Sequence, residues 1–282
     1  GEGHRLIREW VEADLIGTVR EVHFWTNRPI WPQAIDRPTE MHHVPAHFDW
    51  DLWLGPAQHR PYHPAYAPFR WRGWWDFGTG AFGDMACHIM DAAYETLGLR
   101  FPSRVEVEST RHYDETGPES ARVDFHFPAR NGRPEVKLVW RDGGLHPPAP
   151  LEYEDGTLWR PSEDGGQLWL GDKGRLIAGT YGQDPRLLDA ELASEVKANP
   201  LDEKYPRLDS VYQEFIDAVK GGPAPGSNFP GYAAPITEMI LLGNLAVRMG
   251  KSLELDPESG TITNVTVPQE FVNPTYRAGW GW

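Results

Sequence analysis

Residues 76–91 read DFGTGAFGDMACHIMD, and two patterns overlap in them. Gly78, Gly80 and Gly83 spell G-x-G-x-x-G, the spacing of a dinucleotide-binding turn. Asp84, His88 and Asp91 stand at i, i+4 and i+7, which predicts one shared face on an α-helix. The first pattern implies a cradle for cofactor phosphates. The second implies a group of proton-handling side chains.

A dinucleotide turn needs a buried, β-branched strand ahead of its glycines and a repeating β-α unit behind them. Here RWRGWWDF precedes, without Val or Ile, and alternating strand patterns follow. Glu106 and Glu108 lie near the distance expected of a ribose-binding acid, but a Glu-rich strand meets that test by chance. The glycines therefore read as a loop that lets backbone approach a ligand and start a helix. No residue of this chain is assigned to cofactor binding.

The Asp-His-Asp face admits three readings. In a purely structural one, Asp84 caps the helix, His88 is a hydrogen-bonded core residue and Asp91 is solvated. In a chemical one, His88 is a general acid/base, since imidazole titrates near neutral pH, and Asp84 orients its ring. In the third, carboxylate and imidazole share a cation with His42, His43 or His47. Spacing places no third ligand, so no metal is assigned.

Farther out, the chain has 282 residues with 13 Trp, 11 Phe and 10 Tyr, enough for a sizeable core in one large or two small domains. A net charge of −14 argues against nucleic acid, which requires clustered Lys and Arg. No apolar run approaches the ~18–20 residues of a membrane helix. Cys87 is the single cysteine, which excludes an internal disulfide framework and a Cys-rich zinc site. Residues 27–75 form a loop dense in Pro, His and Trp, too long for a passive connection. Its tryptophans offer flat faces for sugar C–H surfaces, and Arg72 offers donors for hydroxyl or carboxylate oxygens.

Strands are expected in GTVREVHFWT (17–26) and in SRVEVEST, ARVDFHF, EVKLVW, GQLWLGD and GRLIAGTY between 103 and 185. Helices are expected at the N-terminus and at about 84–97, 208–220 and 233–249, the last with Ile236, Ile240, Leu241, Asn244 and Val247 inward. Helices before and after a run of strands give an α+β class with a mainly antiparallel sheet.

Four segments together resemble the C-terminal half of the Gfo/Idh/MocA oxidoreductases: LIGTVREVHFWT, the stretch from WDLWLG to HIMD, GDKGRLIAGTYG and YRAGWGW. The resemblance covers almost the whole chain and is sharpest where Gly80 and Gly83 lead into D-x-x-x-H-x-x-D. It implies a large open sheet with flanking helices, through which the protein would form a homo-oligomer. It also implies NAD or NADP as cofactor, held by an N-terminal Rossmann domain. Asp84 and His88 would be catalytic, beside a lysine from a Glu-Lys-Pro motif of that other domain. The substrate would be a sugar, polyol, inositol or glycoside oxidised at a secondary alcohol, with Arg72, Trp75, Trp25, Asp91 and Tyr181 as candidate contacts. Neither nucleic acid nor membrane is an expected partner.

One departure is large. No Rossmann pattern and no Glu-Lys-Pro occur, and the nearest string, Glu203-Lys204-Tyr205-Pro206, has an intervening residue. The expectation is a fragment, inactive alone, in which 1–18 is the remnant of an interdomain helix and 19–282 a substrate-binding and catalytic domain. A non-catalytic carbohydrate-binding module, a metal-dependent isomerase or hydrolase, and a nicotinamide-assisted glycosidase stand as alternatives. Neither the cytoplasm nor export is assigned.

Overall fold

An eight-stranded open sheet organises the chain in the computed structural model, which describes residues 1–148, 151–152, 158–208 and 210–281. Its strands are β1 (Val19–Thr26), β2 (Arg104–Ser109), β3 (Ala121–Phe127), β4 (Val136–Arg141), β7 (Gly165–Gly171), β8 (Arg175–Ala178), β9 (Arg186–Leu187) and β10 (Leu253–Glu254). Two short strands, β5 (Leu151–Glu152) and β6 (Leu158–Trp159), pair separately. The order across the sheet is β10-β2-β3-β4-β1-β7-β8-β9. Among the described residues only β1 and β4 pair in parallel; every other neighbour in this sheet is antiparallel. The class is α+β, as the patterning predicts.

Alternation divides the two faces. Val123, Phe125 and Phe127 of β3 join Val105, Leu138 and Trp140 in the main core. The intervening Arg122, Asp124 and His126 point the other way. There Arg122 forks onto Asp124 at 2.9 and 2.6 Å, Lys137 lies 3.1 Å from Glu21, and His126 meets Glu106 at 2.8 Å. Toward β7 and β8 this second face turns apolar, and Trp25, Leu168 and Ile177 are covered by Trp159 and Leu188.

Eight helices accompany the sheet among the described residues: α1 (Glu2–Glu12), α2 (Trp50–Leu54), α3 (Gly80–Ile89), α4 (Asp91–Thr96), α5 (Ala190–Ala198), α6 (Val211–Val219), α7 (Ala234–Met249) and α8 (Gln269–Val272). The helix expected over 84–97 starts one turn earlier and breaks at Met90, so α3 and α4 are separate rods. In α7, Ile236, Ile240, Asn244 and Val247 are buried as patterned, but Leu241 is 45 % exposed. Gly243 takes the inward place instead, because a Cβ there would stand 2.5 Å from Phe82 and 2.6 Å from Phe125. That close approach sets α7 directly against α3 and β3. Ser210 caps α6 by accepting from Tyr212 and Gln213, and Asp209, inside the expected helix, lies outside the described residues. Five apolar side chains of α6 (Val211, Tyr212, Phe215, Ile216 and Val219) are exposed.

The long loop is ordered by a core of its own. Trp50, Leu54, Ala65, Tyr66 and Trp74 are buried together, with Phe48, Trp53, Tyr62 and Phe77 packed around them. The indoles keep their polar ends satisfied: Trp50 donates to Arg60 O at 2.8 Å and Trp74 to Ala65 O at 2.9 Å. Arg60, itself 2 % exposed, pairs with Asp76 and with Glu115 at 3.4 Å. The C-terminal tail clips this unit, since Arg277 donates to Gly55 O at 2.6 Å and Asp51 O at 2.7 Å. Trp282, the end of the YRAGWGW motif, lies outside the described residues.

At α1, Ile7 enters the main core and Glu9 is buried. The Glu9 carboxylate accepts from the Lys204 and Tyr205 amides at 2.9 and 3.2 Å and from Arg207 at 2.9 and 2.7 Å. The Arg207 bond, with burial opposing it, depresses Glu9 from 4.5 to about 2. A depressed carboxyl contributes stability above its unfolded value and loses it as pH falls through the folded one. Glu9→Gln should therefore destabilise the protein by about 1.5–3 kcal/mol at neutral pH, the scale of charge-assisted hydrogen bonds. The deficit should narrow as pH drops from 4.5 toward 2, measured by urea melts of both proteins across that range.

Candidate active site

The first turn of α3 is built by glycines and by one glutamine. Gly80 has φ +64°, and Gly78 lies where a Cβ would come within 2.5 Å of the Arg72 carbonyl. A Cβ on Gly83 would fall 2.2 Å from Asn244 Nδ2 and 2.4 Å from Thr79, so this face of α3 is pressed against α7. Gln33, from the long loop, accepts from the Ala81 amide at 3.1 Å and donates to Pro118 O at 2.6 Å. The three glycines thus serve close backbone packing. No β-strand runs into them, a helical turn over Arg70–Gly73 preceding instead. With the Ala81 amide already bonded and the turn backed by packed side chains, these residues do not fit a dinucleotide's pyrophosphate.

From this start α3 presents Asp84 and His88. Asp84 Oδ1 lies 3.3 Å from Arg72 Nε, each side chain about a quarter exposed at 25 % and 26 %. The Arg72 guanidinium is held over Phe69 at 4.3 Å and Trp71 at 4.6 Å and donates to Phe69 O at 3.0 Å. His88 is exposed, with the ring of Tyr181 edge-on at 5.9 Å. Among the described residues no hydrogen bond joins Asp84 to His88. Arg72 occupies the carboxylate, so an orienting bond from Asp84 to the imidazole is not present in this arrangement. Asp84 does not cap the helix either, because Thr79 holds that position.

Asp91 leaves the expected face. The break at Met90 places it in the first turn of α4, where Tyr232 donates to it and His4 Nδ1 lies 3.2 Å away. Burial opposes ionisation, but the bonds from His4 and Tyr232 hold its carboxyl below the ordinary value. Its partners tie α1, α4 and the turn before α7 together, a structural role. Trp25 also departs from expectation. It is 2 % exposed, edge-on to Trp159, and donates to Ser162 O at 2.7 Å, so its faces are closed to a sugar. Trp75 is half-buried against the main core, with the Arg248 guanidinium 5.7 Å from its ring. Arg72 and Tyr181 are the two candidate contacts that remain beside Asp84 and His88.

The loop histidines are not brought to this place. His42, His43 and His47 are exposed, and His42 rests against His63 with centroids 4.6 Å apart. Glu106, Asp124 and His126 do gather within 4.8 Å on the sheet, but each is already engaged in the ion pairs described above. Sequence reasoning passed over Gln33, His4 and Tyr232. Gln33 lies 48 residues from Ala81, and Tyr232 lies 141 from Asp91, so no local spacing signals them.

Comparison with known proteins places this geometry. A family model described as the C-terminal alpha/beta domain of an oxidoreductase family, Gfo/Idh/MocA, matches residues 12–129, including Arg72, Asp84 and His88. Residues 12–129 thus resemble the Gfo/Idh/MocA C-terminal domain. Among solved structures the chain is similar to the WlbA dehydrogenase from Chromobacterium violaceum, in complex with NADH and UDP-GlcNAcA, at 16 % identity and a TM-score of 0.51. It is likewise similar to an NAD-binding protein from Listeria innocua, at 12 % identity and 0.51. In both cases the match covers 89 % of this chain and 59 % of the other. At such identities the likeness shows a shared fold alone, and the chain spans 59 % of the length of each of these neighbours. No curated protein matches the chain.

Proposed function

We propose that this chain is the substrate-binding and catalytic half of an NAD(P)-dependent oxidoreductase that oxidises a secondary alcohol of a sugar, polyol, inositol or glycoside. The observation that carries the reading is His88: an exposed imidazole on α3, one turn beyond a carboxylate that Arg72 holds, in the Gfo/Idh/MocA segment. A carbinol becoming a ketone sheds a proton from oxygen and a hydride from carbon. This chain provides for the proton. His88 accepts it, and the Asp84 carboxylate nearby stabilises the resulting imidazolium. Arg72 and Tyr181 offer a donor and a ring beside the same face for the substrate's remaining hydroxyl or carboxylate groups.

The nicotinamide belongs to a separate dinucleotide-binding domain in this reading, since the glycine-rich turn does not fit its phosphates. The uncovered apolar face of α6 agrees with a docked domain. Arg207, three residues before the Ser210 cap, bonds Glu2 and Glu9 of α1, which places the start of α6 beside that helix. A contiguous exposed apolar patch is the usual mark of an interaction surface. Self-association is assigned to the ion-paired face of the sheet. A non-catalytic sugar-binding module is less favoured, because the loop's Trp50, Trp53 and Trp74 pack on one another.

Titration of the isolated chain with NADH and NADPH, followed by nicotinamide fluorescence, should give no binding and no turnover of a sugar and polyol panel. Joined to a dinucleotide-binding domain, it should reduce NAD+ or NADP+ with at least one of those alcohols. Micromolar binding by the chain alone would overturn the assignment of the glycines, and failure of every alcohol in the joined enzyme would overturn the substrate class.

A further inference from the structure

Behind the first turn of α3 lies a small cavity closed by Gln33 and Trp75 of the long loop, the cap Thr79 and Gly80–Phe82 of α3, Asp142 just after β4, and Asn244 of α7. Two of its walls are polar and deeply buried: Asp142 is 2 % exposed and Asn244 is 7 % exposed. Asp142 accepts from the Ala121 amide at 2.7 Å and from Trp140 Nε1 at 3.0 Å. Asn244 is in the opposite condition, because neither its Oδ1 nor its Nδ2 has a hydrogen-bond partner among the described residues. A buried amide with both ends unmet costs several times what an ordinary hydrogen bond contributes, and native proteins meet such groups with ordered water. The cavity offers about 10 Å³ to the centre of a water, room for one molecule and no more.

We propose that this cavity is a binding site for a single ordered water, which accepts or donates to both Asn244 and Asp142 and thereby fastens α7 and β4 to the first turn of α3. Asn244 and Asp142 are then positioning residues for the helix that carries Asp84 and His88. A cation is the wrong occupant, because the positive end of the α3 dipole faces the cavity. An anion is also wrong, because Asp142 lines it.

The protonation of Asp142 fits the same picture. Burial pushes its carboxyl from 3.8 to about 7, against the opposing bonds from Trp140 and Ala121. A protonated carboxyl must donate, and both of its protein partners are themselves donors. The cavity water can supply that acceptor, and to the ionised carboxylate it supplies a further donor. Asp142 is the only titratable residue among those lining the cavity, the loop, α3 and α7 contributing uncharged side chains alone.

Trp140 reports directly, since its indole N–H donates to Asp142. In wild-type protein, the indole resonance should titrate with a midpoint at about 7. In Asn244→Leu, which removes both polar atoms and dries the site, the midpoint should move upward as the charged carboxylate loses its water. An unmoved midpoint in a folded Asn244→Leu protein would overturn the proposal. A crystal structure of the wild-type chain provides the second arm, independent of any variant's folding. One water within hydrogen-bond distance of both residues is the expected result. An empty cavity, or Asn244 bonded directly to Asp142, would end the idea.

Discussion

If the proposed function holds, His88→Ala, made in the chain joined to a dinucleotide-binding domain, is expected to lower kcat by about 10²–10⁴ while leaving thermal stability within about 0.5 kcal/mol of wild type. The two halves of this expectation have separate causes. The stability half follows from exposure, since the imidazole is on the surface with the Tyr181 ring edge-on to it. Removing it opens no cavity and strands no buried partner. The rate half follows from proton transfer by a positioned base. Asp84→Asn should behave differently, because Asp84 also anchors Arg72, so KM should rise along with the fall in kcat. Stopped-flow turnover and melting curves on the same preparations separate these outcomes. An unchanged kcat in His88→Ala would remove the imidazole from the chemistry.

Much of this arrangement is legible in the residues, and the part that is not has a common cause. ARVDFHF announces a half-buried strand because alternation reports directly on which face meets the core, and β3 turns Val123, Phe125 and Phe127 inward as patterned, although Asp124 on the other face is buried as well. Asn244 falls on the apolar stripe of α7 by the same logic, although its burial next to Asp142 depends on a residue 102 positions away and is silent in the pattern. The i, i+4, i+7 rule placed Asp84 and His88 correctly on one helix and failed at Asp91. That rule presumes a continuous rod, and α3 ends at Ile89. What holds Asp91 away is His4 and Tyr232, long-range partners that periodicity cannot see. Trp25 misled for a related reason. It follows the core residue Phe24, and strand alternation turns it onto the opposite face, where Trp159 and Leu188 cover it. Aromatic residues in a strand next to a proposed site carry no information about exposure until the second sheet face is known.

Trp74→Ala should give the largest loss of stability in the long loop, about 3–5 kcal/mol, the usual cost of deleting a large buried aromatic. Trp74 is fully buried, its indole donates to Ala65 O, and Tyr66 packs on it at a centroid distance of 4.6 Å. Truncation would leave a cavity at the centre of the loop's own core and strand the Ala65 carbonyl. That core is joined to the rest of the molecule chiefly through polar ties, among them Arg60 with Glu115, the Trp75 amide with Glu115 O and Arg277 with Gly55. Such a unit can open below the global unfolding free energy. Hydrogen exchange on Trp74→Ala should therefore show protection lost at the loop amides, such as Trp53 and Tyr66, before it is lost in β3 and β4. The consequence reaches the catalytic face. Arg72 sits in the turn that immediately precedes Trp74, and Phe69 and Trp71 hold its guanidinium toward Asp84. When the loop core loosens, Arg72 loses that support and Asp84 its partner, so substrate affinity should fall before the fold itself fails. A Trp74→Ala protein with wild-type protection in the loop would mean that the tryptophans are not what orders it, and that Arg72 is positioned by some other contact.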